Sequence, residues 1–360
     1  MKVLWLTNIP SPYRVDFFNE LGKFCQLTVL FERKASAERD DSWKCFNSEH
    51  FEAIFLPGKP IGAAEAFCPS VWKYLTREYD RVVVTNFSDP TGIVAIQILK
   101  WKRLPYCLES DGAFPGSGRG IKERVKKWII SGADLYFSTA EIHDQYYRMY
   151  GAPEEKIVRY PFTSLHTSDV LAVPVDKSKK KAIREQLGMK EKSVVLAVGQ
   201  FIPRKGFDVL MKATAGMEDV GVYIVGGEAT GEYLLLREKL KAENVHFVPF
   251  QQKRELRQYY QAADVFVHPT REDIWGLVIN EAMANGLPVI TTDRCVAGLE
   301  MVRNNVNGFI VRVDDIAELR EKIVMGIANC VELGKQALST VSAYTFEEMV
   351  LKHIEVLELG

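Results

Sequence analysis

The stretch "REDIWGLVINEAMANGLPVIT", residues 271–291, places three carboxylates around one glycine at the point where an apolar helix begins. Asp273 and Glu281 stand eight positions apart, Glu272 precedes the first of them, and most residues between them are apolar. A solvated surface helix would scatter its charges among polar neighbours instead. The pattern indicates that these acids have a specific task at a junction between a strand and a helix.

The residues around this glycine predict a strand, a loop and a helix in that order. "ADVFVHP" (263–269) is a short apolar strand, and "LVINEAMAN" fits a helix of about two to three turns that ends before Gly286. A helix start leaves backbone N–H groups free, with the positive end of the helix dipole behind them. The N–H groups of Gly276, Leu277 and Val278 therefore predict a phosphate site.

The two acids suit hydroxyl groups on the same ligand. Glu281 would lie one turn inside the helix, where its carboxylate accepts hydrogen bonds from vicinal hydroxyls such as those of a ribose. Asp273 would do the same for a sugar ring, and Gly276 would let the backbone approach closely. A second interpretation stays open here, in which Asp273 caps the helix and Glu281 forms a local ion pair.

The same alternation of strand, loop and helix runs through the whole chain. The predicted strands of the first half are short and apolar, and they cover 2–7, 26–32, 81–86, 105–110 and 134–139. Those of the second half cover 193–200, 221–227, 245–250, 263–269, 287–292 and 308–313. Continuous apolar runs separated by helices indicate parallel sheets covered on both faces.

A polar, lysine-rich segment after about residue 163 is typical of a linker and divides the chain in two. We predict an α/β fold of two doubly wound, Rossmann-like domains that face each other across a cleft. The domains are 1–165 and 166–344, and an amphipathic helix at about 345–360 packs back on the first. Ligands of such sheets bind at the carboxyl ends of the strands.

Composition excludes several other classes of protein. The 360 residues carry a formal net charge of −1, so no basic field points to nucleic acid. No apolar run approaches the roughly 18 residues of a membrane span, and the start is too short for a signal peptide. Neither half carries G-x-G-x-x-G after its first strand, which argues against a nicotinamide dehydrogenase.

Cysteine and histidine spacing indicates a cytosolic protein that needs no metal. The six cysteines form no C-x-x-C pair and indicate reduced, mostly buried thiols; they stand at 25, 45, 68, 107, 295 and 330. The six histidines show no metal-ligand spacing. His268 lies near the predicted site, and a structural role is the simplest interpretation of it.

"HPTREDIWGLVINEAMANGLPVITTD" (268–293) resembles the signature of retaining nucleotide-sugar glycosyltransferases of family 4, which have the GT-B architecture. That signature has two acids separated by seven residues around a Phe/Trp-Gly pair, followed by Glu-Ala-x-Ala-x-Gly-x-Pro-Val. By register, Asp273 matches the first acid, where the family has the longer Glu, and Glu281 matches the second. The resemblance implies that Trp275 and Gly276 belong to the donor site.

"AVGQFIPRKGFDVL" (197–210) resembles a second family segment, which implies that Lys205 holds the donor diphosphate. Gln200 replaces the family's arginine and brings no charge, and it adjoins Gly199 in the same implied donor site. Arg204 would supply the missing charge, or would simply be a solvated residue at a helix start. The resemblance also implies a base-binding loop near Phe250, which would otherwise be a core aromatic residue.

The first half would supply the acceptor side. The loop before Tyr13 and Arg14 carries prolines where the family often has glycines, and Arg14 is equally compatible with a plain surface position. Glu109, Ser110 and Asp111 follow a strand where many relatives have a His-Asp pair. Asp111 would orient the acceptor hydroxyl or donor sugar, or would simply form a turn with the glycine after it.

Residues 119–133 combine five basic side chains with Trp and Ile residues, as a helix at an anionic membrane surface does. A solvated helix face is the alternative. The resemblance implies a lipid-linked or glycan acceptor, no required metal, and a cytoplasmic protein at the inner face of the plasma membrane. It implies no nucleic-acid partner.

The predicted function is transfer of a sugar, with retention of configuration, from a nucleoside diphosphate sugar to an acceptor hydroxyl. Surface polysaccharide or glycolipid synthesis is the expected setting. Three alternatives stay open: a sugar-nucleotide epimerase of the same architecture, a synthase that uses a small phosphorylated acceptor, and an inactive partner that binds nucleotide sugars.

Overall fold

Two separate parallel sheets organise the chain, one in each half of the sequence. The computed structural model describes residues 1–34, 47–116 and 118–359. Unit 1 comprises Met1–Ser164 and Thr345–Gly360, and unit 2 comprises Leu165–Tyr344. The boundary predicted after residue 165 lies one residue beyond this division.

Unit 1 contains nine strands and four helices before the chain enters unit 2, counted over its described residues. The strands are β1 Lys2–Thr7, β2 Gln26–Phe31, β3 Glu52–Phe55, β4 Lys59–Pro60, β5 Ala66–Phe67, β6 Arg81–Val84, β7 Tyr106–Glu109, β8 Leu135–Ser138 and β9 Ile157–Arg159. The helices are α1 Pro12–Leu21, α2 Pro90–Lys102, α3 Ile121–Ile130 and α4 Glu141–Met149. Seven strands form one sheet in the order β3-β2-β1-β6-β7-β8-β9, and β4 pairs antiparallel with β5.

Unit 2 has a six-stranded sheet in the order β12-β11-β10-β13-β14-β15, all of whose pairings are parallel. The strands are β10 Ser193–Val198, β11 Val220–Val225, β12 Val245–Val248, β13 Val265–His268, β14 Val289–Thr292 and β15 Gly308–Val311. The helices are α5 Lys177–Gln186, α6 Phe207–Thr214, α7 Gly231–Leu240, α8 Lys253–Ala262, α9 Leu277–Ala284, α10 Val296–Met301, α11 Ile316–Ala328 and α12 Cys330–Val341.

The last helix, α13 (Phe346–Leu359), belongs to unit 1 although it follows unit 2 in sequence. Its Leu357 carbonyl accepts a hydrogen bond of 3.2 Å from the guanidinium of Arg81, at the start of β6. His353, on the same helix, is fully buried and packs beside the rings of Phe17 and Phe137. Burial of an apolar face is what holds a short terminal helix in place.

The strands form because their apolar residues are covered on both faces. β1 and β2 each bury five of their six residues, as parallel strands between two helical layers do. Trp5 on β1 packs edge-on against Phe17 and Phe18 of α1, with ring centroids 5.6 and 5.4 Å apart. The predicted α/β fold with two Rossmann-like halves is therefore confirmed.

Sequence patterns missed β3, β9 and the short β4–β5 pair. The residues of β3 and β9 are only partly buried or exposed, so they lack the continuous apolar run of central strands. Of the cysteines, those at 25, 68, 107, 295 and 330 are free thiols and three of them are buried, whereas Cys45 lies outside the described residues.

Each sheet reverses its strand order beside its first strand, which marks where ligands bind in folds of this kind. In unit 2, β10 pairs with β11 on one side and with β13 on the other. The loops that follow β10 and β13 therefore leave the sheet next to each other. These loops, 199–206 and 269–276, carry most of the residues predicted for the donor site.

Candidate functional site

Lys205 and Asp273 meet where the two loops of unit 2 leave the sheet. The Lys205 ammonium lies 2.6 Å from the Asp273 carboxylate, although the two residues are 68 positions apart in sequence. Both side chains are largely buried. The sequence-predicted phosphate ligand and the first acid of the motif therefore belong to one site.

Two glycines make this close packing possible. Gly206 has φ +68°, and a Cβ there would fall 2.0 Å from the Pro269 carbonyl oxygen at the end of β13. Gly276 has φ +104°, and its Cβ would fall 3.0 Å from the Cys295 sulfur. L-residues rarely adopt these backbone conformations, so both positions require glycine.

Asp273 is held as a carboxylate by three neighbours. Its second oxygen also accepts from His268 Nε2 at 2.9 Å, and Arg204 lies 3.6 Å from the first. Burial raises the pKa of Asp273, but the hydrogen bond from His268 and the charge of Lys205 outweigh burial and hold this pKa well below its ordinary value. His268, which the sequence left as structural, thus contacts the candidate site directly.

Arg204 brings a second positive charge to the same place. Its guanidinium donates a 2.7 Å hydrogen bond to the Glu272 carbonyl, and its side chain is about half exposed. Gln200, by contrast, is exposed after β10. The Glu272 carboxylate forms an ion pair with the Arg294 guanidinium. Arg204 is therefore positioned to replace the charge that Gln200 lacks.

Helix α9 starts at the site as predicted, with Gly276 as its N-cap residue. The alternative interpretation, in which Asp273 caps this helix, is therefore wrong. Leu277 and Val278 form its first turn, whose N–H groups have no carbonyl partner inside the helix.

The assignment of Trp275 to the donor site requires a correction. Its indole is only 2 % exposed and donates a 2.9 Å hydrogen bond to Asn280 Oδ1. The Trp275 ring is therefore packed inside unit 2 and is not exposed to a ligand.

Glu281 lies half-buried one turn inside α9. Its carboxylate accepts a 2.9 Å hydrogen bond from the Tyr260 hydroxyl, and no Lys or Arg of the described residues forms an ion pair with it. Burial raises the pKa of Glu281, while the Tyr260 hydrogen bond acts in the opposite direction. A local ion pair is thus not what fixes this acid.

Phe250 is the one aromatic side chain assigned to the base-binding loop. It follows β12 and is 53 % exposed, so the alternative of a core aromatic residue is wrong. Gly199 follows β10, and a Cβ there would contact the Lys205 side chain at 3.5 Å. Gly199 therefore lies against the Lys205 side chain, while the Phe250 ring remains available to a ligand.

A second cluster brings together the residues predicted for the acceptor side in unit 1. The Arg14 guanidinium pairs with both Glu109 and Asp111, and Tyr13 donates 2.7 Å to the other oxygen of Asp111. Arg14 is only 4 % exposed, so the alternative of a plain surface residue is wrong. The Asp111 side chain is the most exposed of the three charged ones, at 26 %.

Sequence reasoning missed three partners of this cluster. Tyr160 donates 3.2 Å to Glu109, His353 approaches the same carboxylate at 3.2 Å, and His143 lies 2.9 Å from Ser110 Oγ. His143 of α4 thus lies beside Ser110, although no histidine precedes Asp111 in the sequence. Ser117, within the glycine-rich loop after Asp111, lies outside the described residues.

The described residues, 1–34, 47–116 and 118–359, contain neither a metal-binding cluster nor a membrane-spanning helix. No group of three or more His, Cys, Asp or Glu side chains there is arranged to hold a metal ion. No helix in those ranges has the length and apolarity needed to cross a bilayer. The absence of a required metal remains a prediction.

Comparison with known proteins identifies the domain that holds the Lys205–Asp273 pair. Residues 179–329 match the family "Glycosyl transferases group 1". D-inositol 3-phosphate glycosyltransferase of Xylanimonas cellulosilytica is 35 % identical over 207 residues, which cover 54 % of this chain and 48 % of that protein. The chain thus spans about half the length of this relative.

A second relative is the Campylobacter jejuni N,N'-diacetylbacillosaminyl-diphospho-undecaprenol alpha-1,3-N-acetylgalactosaminyltransferase. It is 23 % identical over 248 residues, which cover 66 % of this chain and 64 % of that protein. Among solved structures, Anabaena Alr3699/HepE in complex with UDP superposes with a TM-score of 0.82 at 20 % identity, over the whole of both chains. WaaG, a glycosyltransferase involved in lipopolysaccharide biosynthesis, gives 0.70 at 18 % identity over 99 % of this chain and 100 % of that one.

Residues 179–329 are therefore similar to the glycosyl transferases group 1 family, and the fold of the chain is of the GT-B type. The domain match includes Lys205, Asp273 and Glu281. The fold prediction made from the sequence is confirmed at this level.

Proposed function

We propose that this protein is a glycosyltransferase that moves a sugar from a nucleoside diphosphate sugar to an acceptor hydroxyl. The pairing of Lys205 with Asp273 at the strand-order reversal of unit 2, beside the start of α9, is the observation that carries the proposal. A cation and a row of backbone N–H groups suit a diphosphate, and a neighbouring carboxylate suits sugar hydroxyls.

In this proposal the donor diphosphate is the leaving group and unit 2 stabilises it. Lys205 uses one of its three N–H donors on Asp273 and keeps the others for phosphate oxygens. Arg204 and the N–H groups of Gly276 to Val278 add to the stabilisation of the charge that develops on the leaving oxygen. These groups would do the neutralising that a metal ion does elsewhere, so no metal is required.

The reaction we infer is loose and oxocarbenium-like at the sugar carbon. The bond from that carbon to the phosphate oxygen breaks, the acceptor oxygen forms the new bond, and the departing phosphate oxygen takes the acceptor proton. Retention of configuration follows from the resemblance of the 268–293 segment to retaining family 4 enzymes. Asp111 and Tyr13 of unit 1 would hold the acceptor hydroxyl, with Ser110 beside them.

Two properties of similar proteins support the substrate classes. A structural neighbour carries UDP, which makes a uridine diphosphate sugar the first donor to test. One relative acts on a diphospho-undecaprenol sugar, which supports a lipid-linked acceptor. We therefore infer a role in surface polysaccharide or glycolipid synthesis at the inner face of the plasma membrane.

A donor screen tests this proposal. UDP-, GDP- and ADP-sugars are added to the purified protein, thermal shifts are recorded, and nucleotide release is followed with and without lipid-linked acceptors. We expect a shift with one donor and nucleotide release that depends on acceptor. Conversion of the sugar without acceptor would favour an epimerase, and donor binding without turnover in either condition would favour an inactive partner.

Peripheral membrane contact through 119–133 is part of the proposal. Helix α3 is anchored to unit 1 by Ile129 and Ile130, which are buried. Its outer side carries a stripe at i, i+4 and i+7 whose members are 80 %, 46 % and 55 % exposed: Ile121, Val125 and Trp128. An exposed apolar stripe flanked by lysines is typical of a helix at an anionic lipid surface, and a plain solvated face would lack it.

Vesicle binding by a charge-reduced variant tests the membrane contact. Lys122→Gln/Lys127→Gln removes two exposed charges from α3 and should weaken binding to vesicles with anionic lipid by about 30-fold, because each basic residue contributes about 1 kcal/mol. Lys179→Gln/Lys181→Gln on α5 removes two exposed charges elsewhere and is the matched control. Equal binding by both double variants, or no binding by the unaltered protein, would remove the membrane role.

A further inference from the structure

The C-terminal helix brings a histidine into a buried network of charges in unit 1. His353 of α13 and Glu109 at the end of β7 are both fully buried, and His353 Nε2 lies 3.2 Å from Glu109 Oε2. The other ring nitrogen, Nδ1, lies 2.7 Å from the Met349 carbonyl oxygen. The two residues are 244 positions apart, so only the fold brings them together.

Both neighbours of this ring accept hydrogen bonds and neither offers a proton. A carbonyl oxygen only accepts, and an ionised carboxylate only accepts. Glu109 also forms an ion pair with the buried Arg14 guanidinium, and the charge of Arg14 lowers the pKa of Glu109 against the effect of burial, which favours the ionised carboxylate. Two acceptors require two N–H donors, and only the imidazolium has both.

The surroundings of the ring suit a cation. The imidazole stacks on Phe137 with centroids 4.5 Å apart, and the rings of Tyr160 and Phe17 lie at 4.6 and 4.9 Å. Aromatic faces attract positive charge, and more strongly when water is excluded.

The network continues from His353 towards the exposed carboxylate. Glu109 pairs with Arg14, and Arg14 pairs with Asp111, so the charges alternate along four side chains. Asp111, at the end, is also fixed by the Tyr13 hydroxyl at 2.7 Å. Each member contacts the next, so the network connects the buried ring to the exposed carboxylate.

We propose that His353 is held as the imidazolium and is a positioning residue for Asp111, acting through Glu109 and Arg14. The charge on the ring is independent of what the protein catalyses. The effect on the acceptor rests on the proposed function. The charged and titratable groups beside the ring are Glu109 of β7 and Tyr160 after β9. Arg14 lies one contact beyond Glu109, and Asp111 lies two contacts beyond it.

His143 is an internal control with the opposite expected charge. It is also fully buried, and its Nδ1 accepts the backbone N–H of Thr139 at 3.2 Å, which leaves Nε2 to donate to Ser110 Oγ at 2.9 Å. Burial lowers the pKa of His143 to about 3. This ring should therefore be neutral, with its proton on Nε2.

Nitrogen NMR of the full chain with isotope-labelled histidine distinguishes the two rings. At neutral pH, we expect both nitrogens of His353 to be protonated, whereas His143 should have one bare nitrogen. His353→Gln and His143→Gln assign the signals. A neutral His353 ring with bare Nε2 would overturn the proposal whether or not the protein transfers sugar.

A kinetic comparison tests the positioning role. His353→Phe keeps an aromatic ring but leaves Glu109 Oε2 without this donor, and we expect the KM for acceptor to rise about tenfold or more while donor-induced thermal shift is unchanged. His353→Gln restores one uncharged donor and should recover part of the loss. Lower thermal stability of both variants with an unchanged acceptor KM would contradict a positioning role. Absence of transfer by the unaltered protein would count against the proposed function and would leave the NMR result standing.

Discussion

Lys205→Ala should lower the rate of sugar transfer at saturating donor by about 10²–10³-fold, the loss typical of removing one preorganised group that stabilises developing charge. Lys205 lies 2.6 Å from Asp273 in a largely buried position, where its charge acts with little screening by solvent. The measurement is kcat for acceptor-dependent nucleotide release. Lys205→Arg should recover only part of the lost kcat, because a planar guanidinium does not occupy the place of a compact ammonium.

Lys212→Ala is the matched control for this variant. Lys212 lies on the neighbouring helix α6 and forms a 3.1 Å surface pair with Asp208. Its removal deletes the same charge but should leave kcat unchanged, because exposed pairs of this kind contribute about 0–1 kcal/mol. Melting temperatures of both variants show that the fold survives. A Lys205→Ala variant with the kcat of the control would show that the donor diphosphate binds elsewhere.

The alternation of apolar runs and helices was sufficient to predict the two Rossmann-like halves. Central strands such as β1 and β10 bury nearly every residue, and that burial requires a continuous apolar run that is visible in sequence. The strands β3 and β9 escaped prediction because their residues are only partly buried or exposed, so they lack a continuous apolar run. Sheet order was not visible, since it depends on long-range pairing and not on local pattern.

Sequence indicated the local structure around the candidate donor site where short-range chemistry determines it, but it did not indicate which side chains are buried. Gly276 and Lys205 have positions set by a helix start and a tight turn, both of which sequence indicates. The depth of a side chain is a tertiary property. Trp275, assigned to the ligand, is buried, while Phe250, expected more often in a core, is exposed.

The histidines show the limit of sequence reasoning most clearly. His143, His268 and His353 have no metal-ligand spacing, and the sequence therefore suggested no role for them beyond structure. In the fold, each one contacts a residue assigned to the candidate sites. The packing of the last helix on the first domain was expected, but contacts between residues that are far apart in the chain, such as His353 and Glu109, depend on which of its side chains meet that domain, and no local pattern indicates this.

Glu281→Ala should raise the KM for donor about 100-fold or more. The substitution removes a charged hydrogen-bond acceptor, and each hydrogen bond to a charged group contributes about 1.5–3 kcal/mol. Glu281 is half-buried and accepts one bond from Tyr260, which leaves lone pairs for two vicinal ribose hydroxyls. The measurement is the KM for the donor identified by the screen. Glu272→Ala is the control, because the Glu272 carboxylate forms an ion pair with Arg294 and should not contact the donor. Equal donor KM for the two variants would exclude a role for Glu281 in binding the ribose.

The pH dependence of Glu281→Gln provides an independent test of the same residue. Burial raises the pKa of Glu281, so the folded state favours the protonated acid, and this contribution to stability is lost as pH rises through the raised pKa. Gln carries no charge, so the variant should be at least as stable as the unaltered protein at neutral pH while it binds donor more weakly. Tyr260→Phe removes the hydrogen bond that favours the carboxylate, and should move the acid limb of the kcat/KM profile for donor to higher pH. An acid limb that is unchanged in Tyr260→Phe and still present in Glu281→Gln would mean that another group controls donor binding.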